Sequence, residues 1–480
     1  MNKTTFKYLP PQKRKKILLI CDDIRVHSGV ATVAKEIVIH TAQHFNWVQM
    51  AGAIKHPDFG KKLDISLETN KHAGINDSSV ILYPTNGYGD PNMIRSIMQI
   101  EKPDAIFLFT DPRYFMHVWN MEQEIRRKIP IIYLNIWDDY PAPMYNQPYY
   151  EACDLLMGIS KQTVNINKLV LKGREGNRLF KYLPHGKNPD IFKPIDKNNE
   201  KYISFKNQLF NNKEYDFILY FNSRNIRRKQ TSDAILAFRS FLDTLPKDKA
   251  KKCAFVLKTE KVTDAGTDLP QVIEYFLGES YEDQAYIVDT KLSEEQLNFL
   301  YNMADSTILL TSNEGWGLAN TESLLSGTPI IANVTGGMQD QMRFEDENGK
   351  WFTPSPDVPS NHRGTYKKHG EWAFPVYPTS RSIQGSPPTP YIFDDRCTWE
   401  DAAERIKEVY DLSPEERKRR GLSGREWAIS DEAGFTSKHQ AERVINVIDE
   451  LFDTWKPRVK YEVINANEYK GKFLNHKIIY

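Results

Sequence analysis

Thr311-Ser312-Asn313-Glu314-Gly315-Trp316-Gly317-Leu318-Ala319-Asn320-Thr321-Glu322 is the stretch on which the reading of this 480-residue chain turns. It follows an apolar run, Thr307 to Leu310, that reads as a buried strand, and it opens an apolar segment that reads as a helix ending near Gly327. A strand, a glycine-bearing loop and a helix N-terminus together make an anion site, because unpaired backbone N–H groups and the helix dipole both point at the loop. A pyrophosphate fits there. Glu314 precedes the helix and Glu322 lies within it, so one carboxylate faces the loop and the other reaches past it. Each can accept two hydroxyl hydrogen bonds at once.

A second basic segment supports the first. Phe221-Asn222-Ser223-Arg224-Asn225-Ile226-Arg227-Arg228-Lys229-Gln230-Thr231 also follows an apolar strand and precedes a helix. Arg224 and Lys229 are suited to neutralise a diphosphate, with Arg227 and Arg228 as alternative contacts and a solvated basic turn as the other reading. Charge-assisted hydrogen bonds of this kind contribute about 1.5–3 kcal/mol each.

Glu-x7-Glu with an internal Gly-aromatic-Gly, together with the Arg-x4-Lys segment, resembles retaining glycosyltransferases of the GT-B fold, the large family 4 in particular. That resemblance implies an α/β chain of two Rossmann-like domains whose parallel sheets face each other across a cleft. It implies transfer of a sugar from a nucleoside diphosphate sugar, a UDP-sugar first among the candidates, to a hydroxyl with retention of configuration and no required cofactor. Carried over, Glu314 contacts the donor sugar, Glu322 the ribose, and Arg224 and Lys229 the diphosphate. Gly315, Trp316, Gly317 and Leu318 form the donor loop, and Gly29, in Ser28-Gly29-Val30-Ala31, matches the family's first glycine turn, which is often turn geometry alone. Ala152 to Ser160, Pro184-His185-Gly186 and Phe192-Lys193-Pro194 match segments that mark the fold, and Thr335-Gly336-Gly337-Met338 matches a Gly-Gly turn near the donor. The chain departs from the family at one place: no His aligns where the N-terminal domain faces the reacting sugar. Asp111, Asp138 and Asp139 are therefore the candidates for acceptor binding or proton removal, each also readable as a cap or turn residue.

The rest of the chain alternates short apolar runs with amphipathic segments, which predicts parallel sheets covered by helices. The expected organisation is an acceptor-side domain over 1–195, a linker over 196–215, a nucleotide-sugar-binding domain over 216–452 and a tail over 453–480. Within the second domain, 355–397 is rich in Pro, Gly and aromatic residues and reads as an irregular insertion. Trp372, Tyr377 and Tyr391 are its candidates for stacking on an acceptor. Ser293 with Gln296 predicts a capping box.

Composition sets limits. Lys+Arg number 64 and Asp+Glu 63, so the overall charge gives no evidence for a polyanionic partner. Four scattered cysteines argue against a zinc ribbon or disulfide framework and suggest a reducing, cytoplasmic setting. No apolar run reaches membrane-spanning length. The acidic pairs Asp22-Asp23, Asp138-Asp139 and Asp394-Asp395 would suit a divalent metal, but Arg224 and Lys229 already supply charge for a diphosphate, so no metal is expected. The acceptor stays open between a glycan or lipid and a hydroxymethylated DNA base, for which the basic start and Lys456, Arg458, Lys460, Lys470, Lys472 and Lys477 offer phosphate contacts. A noncatalytic sugar-nucleotide or glycan-binding protein on the same fold is the alternative function.

Overall fold

A computed structural model of the chain describes residues 8–458. Lys460, Lys470, Lys472 and Lys477 lie outside the described residues, as does most of the 453–480 tail.

The first sheet contains β1 (Lys15–Asp22), β2 (Phe45–Gly52), β3 (Leu63–Asp64), β4 (Val80–Pro84), β5 (Ala105–Phe109), β6 (Ile131–Asn135), β7 (Leu155–Gly158) and β8 (Leu179–Tyr182). Their order is β3-β4-β2-β1-β5-β6-β7-β8, all parallel except the short β3 against β4. The second sheet, wholly parallel, is built from β9 (Phe217–Asn222), β10 (Cys253–Lys258), β11 (Ala285–Val288), β12 (Ser306–Leu309), β13 (Ile330–Asn333) and β14 (Ala373–Val376), in the order β11-β10-β9-β12-β13-β14. Strands such as Ala-Ile-Phe-Leu-Phe at β5 are apolar at every position because helices cover both faces, and every residue of β5 is buried.

Local signals set the helix starts. Ser28 caps Gly29–Thr41, Ser160 caps Lys161–Val170, and Ser293 and Gln296 form the expected reciprocal capping box before Glu294–Met303. The basic start is the lead-in to β1, with its charges paired: Arg14 to Asp77 at 2.9 Å, Lys15 to Asp104 at 3.1 Å and Lys16 to Glu101 at 3.2 Å.

One expectation needs correction. The segment 355–397 is not irregular throughout: Ala373–Val376 is the edge strand of the second sheet, and Ser380–Ser386 (β15) pairs antiparallel with Thr389–Arg396 (β16). The hairpin leans across to the first half, where the Phe393 N–H donates to the Tyr140 carbonyl at 2.7 Å and Arg113 donates to Thr389 Oγ1 at 2.7 Å. The second half also reaches back to the first. Helix Ser437–Thr454 packs on helix Gly29–Thr41 of the first half, with His44 on Asp449 at 3.1 Å and Lys181 on Glu450 at 2.6 Å.

The chain therefore crosses between halves twice, and the crossings touch. Lys187 pairs with Thr436: its N–H donates to the Phe435 carbonyl at 3.2 Å, and the Ser437 N–H donates to its carbonyl at 3.0 Å. Gly186 permits this approach, since a Cβ there would collide with the Thr436 carbonyl.

Trp372, expected at an acceptor, is a core residue only 5 % exposed. It stacks on Trp427 at 4.9 Å between ring centres and donates from Nε1 to the Gln341 carbonyl at 3.0 Å. Replacing it leaves a cavity and an orphaned carbonyl, so Trp372→Ala is expected to destabilise the fold by about 3–5 kcal/mol. Chemical denaturation checks this, and a loss below about 1 kcal/mol would contradict the core assignment.

Candidate active-site cleft

The carboxyl ends of β9, β10 and β12 face the carboxyl ends of β1 and β5, and between them lies a cleft of about 740 Å³. Open parallel sheets place ligands at such strand ends. Ser28, Gly29, Phe109, Asp138 and His185 line it from the first half, and Arg224, Arg228, Lys229, Glu314 to Ala319, and Glu322 from the second.

The loop after β12 is held by its own sequence. Gly317 adopts φ 88°, where a side chain would be strained, and starts helix Leu318–Leu325 with no side chain capping its first turn. Trp316 is buried, donating from Nε1 to Thr321 Oγ1 at 2.9 Å, while Gln341 Nε2 donates to the Trp316 carbonyl at 2.6 Å. The Gly337 N–H donates to the Glu314 carbonyl at 3.0 Å, and Gly336 lies so close that a Cβ would collide with that carbonyl.

Glu314 is the electrostatic centre. Its carboxylate is paired with the Lys229 ammonium and lies 3.3 Å from the Arg228 guanidinium. Burial alone would raise its pKa, but the two cations overcome that and bring it down to about 2. These charges gather beside the uncapped start of helix Leu318–Leu325. Asp138, facing the same group, is pushed above the usual carboxylate range by burial, with Arg228 opposing and Glu314 adding to the rise.

The turn Arg227–Lys229 explains which cations face inward. The Ser312 N–H donates to the Arg228 carbonyl at 2.8 Å, tying this turn to the strand end before Glu314, and Arg228 Nη1 donates to the Asn313 carbonyl at 2.7 Å. Arg224 precedes the turn and sits on the rim, three-quarters exposed in its side chain and paired with Glu260 at 3.0 Å. The cation beside Lys229 at Glu314 is thus Arg228, which sequence reasoning held only as an alternative. Glu322, deeper in the cleft, accepts from the Tyr301 hydroxyl at 2.8 Å.

Four other candidates stand elsewhere. Asp111 caps Pro112–Phe115 and is bound by Arg113, away from the cleft wall. Asp139 is fully buried with Asp395 and Arg381; burial and Asp395 push its carboxyl well up, against the pull of Arg381, so it is a core group and not an acceptor ligand. Tyr391 is pinned against Tyr145, whose hydroxyl donates to its carbonyl at 2.8 Å, and Tyr377 packs beside Lys367 and Phe344. Neither lines the cleft. Among the described residues no group of three or more His, Cys, Asp or Glu side chains is placed to hold a metal ion, and no helix is long and apolar enough to cross a membrane.

With this geometry in hand, comparison with known proteins gives consistent results. Residues 188–361 match the family model "Glycosyl transferases group 1". An uncharacterized glycosyltransferase of Methanocaldococcus jannaschii is 25% identical over 122 residues, which are 25% of this chain and 29% of that protein. Sucrose-phosphate synthase of Thermosynechococcus elongatus superposes with TM-score 0.62 at 15% identity, covering 92% of this chain and 100% of its own. HepE of Anabaena, solved with UDP and glucose, superposes with TM-score 0.61 at 13% identity, covering 91% and 100%. The fold is GT-B.

His185 is one of the cleft residues that sequence reasoning missed, since Pro184-His185-Gly186 reads as a fold marker. Its ring packs between Phe109 at 5.9 Å and Trp316 at 6.2 Å, and Nδ1 is buried with no hydrogen-bond partner among the described residues. Burial pushes its pKa down to about 3, with Glu314 pulling weakly the other way. The folded chain therefore refuses a proton that the unfolded chain takes up below about pH 6.5. Stability is expected to fall as pH drops from there toward about 3, by up to about 1.4 kcal/mol per pH unit from this group. Imidazole NMR should show His185 neutral through pH 5, and His185→Gln should flatten the acid limb of stability; a titration near pH 6.5 would refute the assignment.

Proposed function

We propose that this protein is a retaining glycosyltransferase that moves a sugar from a nucleoside diphosphate sugar, a UDP-sugar first among them, to an acceptor hydroxyl. The observation that carries this reading is the convergence of Lys229, Arg228, Glu314, Glu322 and an uncapped helix start on one interdomain cleft. The group 1 family match over part of this cleft supports it.

In this reading the diphosphate lies against the start of helix Leu318–Leu325, where backbone N–H groups and the two cations stabilise the charge that develops as the bond from C1 of the sugar to the phosphate oxygen breaks. Arg224 meets the nucleotide from the rim. Glu314 orients sugar hydroxyls and keeps Lys229 and Arg228 in place, and Glu322 accepts from ribose hydroxyls. The acceptor enters from the Gly29 and Asp138 side. Its oxygen attacks C1 on the face the leaving group departs from, and its proton passes to the departing phosphate oxygen. No protein nucleophile is needed, and positioning supplies most of the rate. The acceptor is a hydroxyl of a glycan or lipid, or of a hydroxymethylated DNA base.

A thermal-shift panel of UDP-, GDP-, ADP- and TDP-glucose tests the donor site. A ligand at a hundredfold excess over Kd raises stability by about 2.7 kcal/mol. A selective shift with UDP-glucose is expected, indifferent to Mg²⁺, strongly reduced in Arg228→Ala and in Glu322→Ala. Glu314→Ala should bind donor yet lose turnover by about 100-fold or more, read as donor hydrolysis or transfer. No shift with any donor would reject the assignment, and donor binding without turnover on any acceptor would favour a noncatalytic sugar-nucleotide-binding protein.

A further inference from the structure

Behind Glu322 lies a buried lysine that the donor reading does not use. Lys187 is 3 % exposed and belongs to the first crossing between halves, where its main chain is fixed on both sides by residues 435–437. Its ammonium lies 3.3 Å from Glu322 Oε1 and 3.0 Å from Glu294 Oε1, over the Phe192 ring at 4.8 Å. Burial would lower its pKa, but Glu322, Glu294 and Glu36 together hold it above the usual range, so it stays charged.

Glu322 is itself 7 % exposed, and Lys187 is the cation paired with it among the described residues. The other oxygen, Oε2, is engaged by the Tyr301 hydroxyl at 2.8 Å and by Asn222 Nδ2 at 3.5 Å. Without the lysine, Oε1 would lose its ion pair, and the carboxylate could turn about its contacts with Tyr301 and Asn222. Turning would take away acceptor positions that a pair of ribose hydroxyls needs.

We infer that Lys187 is a positioning residue for Glu322, holding its carboxylate turned toward the ribose hydroxyls, and so sets the preference for a ribonucleotide. The inference rests on the reading of Glu322 as the ribose ligand. It also ties the pocket to the interdomain crossing, since the same residue fixes both.

The test is calorimetric binding of UDP and of 2′,3′-dideoxy-UDP to the full chain and to the variants Lys187→Met, Lys187→Arg and Glu322→Gln. The wild type is expected to prefer UDP by roughly tenfold or more, the value of one or two good hydrogen bonds. Lys187→Met should lose most of that preference by weakening UDP about tenfold while leaving the dideoxy nucleotide nearly unchanged, and Lys187→Arg should restore most of it. If Lys187→Met does not fold, Lys187→Gln, which keeps a donor but loses the charge, carries the same expectation. Equal weakening of both nucleotides, or full retention of the preference without the lysine, would overturn the inference. A wild type that does not bind UDP, or that binds both nucleotides alike with Glu322→Gln unchanged, would instead overturn the parent reading, and the inference with it.

Discussion

The pairing of Glu314 with Lys229 and Arg228 is the interaction around which the cleft is arranged. Three charged groups are brought together at the meeting of two sheets, where desolvation is costly and only mutual attraction makes the ionised state tolerable. The backbone serves the same end. The Glu314 carbonyl is taken by Gly337, the Arg228 carbonyl by Ser312, and glycines at 315, 317 and 336 let the loop, the first half and the β13 turn approach more closely than side chains would permit. Removing any one cation would leave a buried carboxylate short of charge.

The cleft concentrates charge although the chain as a whole is near neutral: Arg224, Arg228 and Lys229 line it together with Asp138, Glu314 and Glu322. Net charge reports the surface average, whereas a ligand would meet these groups one by one beside a helix start. Elsewhere buried charge is self-contained: Asp23 is satisfied by Arg25 and His56, and Asp139 shares Arg381 with Asp395.

Much of the fold was legible because it is local. Fully buried parallel strands such as Ala105–Phe109 are continuous apolar runs, and the helices after them begin at recognisable caps. Ala373–Val376 was not legible, since a four-residue edge strand containing Pro375 looks like loop, and β15 lacks the alternation that a buried hairpin would show. At the cleft, the strand–loop–helix pattern placed Glu314 and Glu322, but which arginine turned inward depended on one tight turn and a hydrogen bond from Ser312. Asp139 looked available because its partners, Arg381 and Asp395, are more than 240 residues away in sequence. Trp372 looked like a stacking platform for the same reason: Trp427 is invisible without the fold.

The last helix, Ser437–Thr454, has a consequence for how the chain is made. It covers helix Gly29–Thr41, so the first half to leave the ribosome lacks one of its layers until residues 437–454 have been synthesised. Contacts of such long sequence separation form slowly, because loop-closure entropy must be overcome before they stabilise anything. The first half therefore waits through translation with an apolar face uncovered until the second half has been made. A chain that stops short of residue 437 lacks the piece that closes its first half.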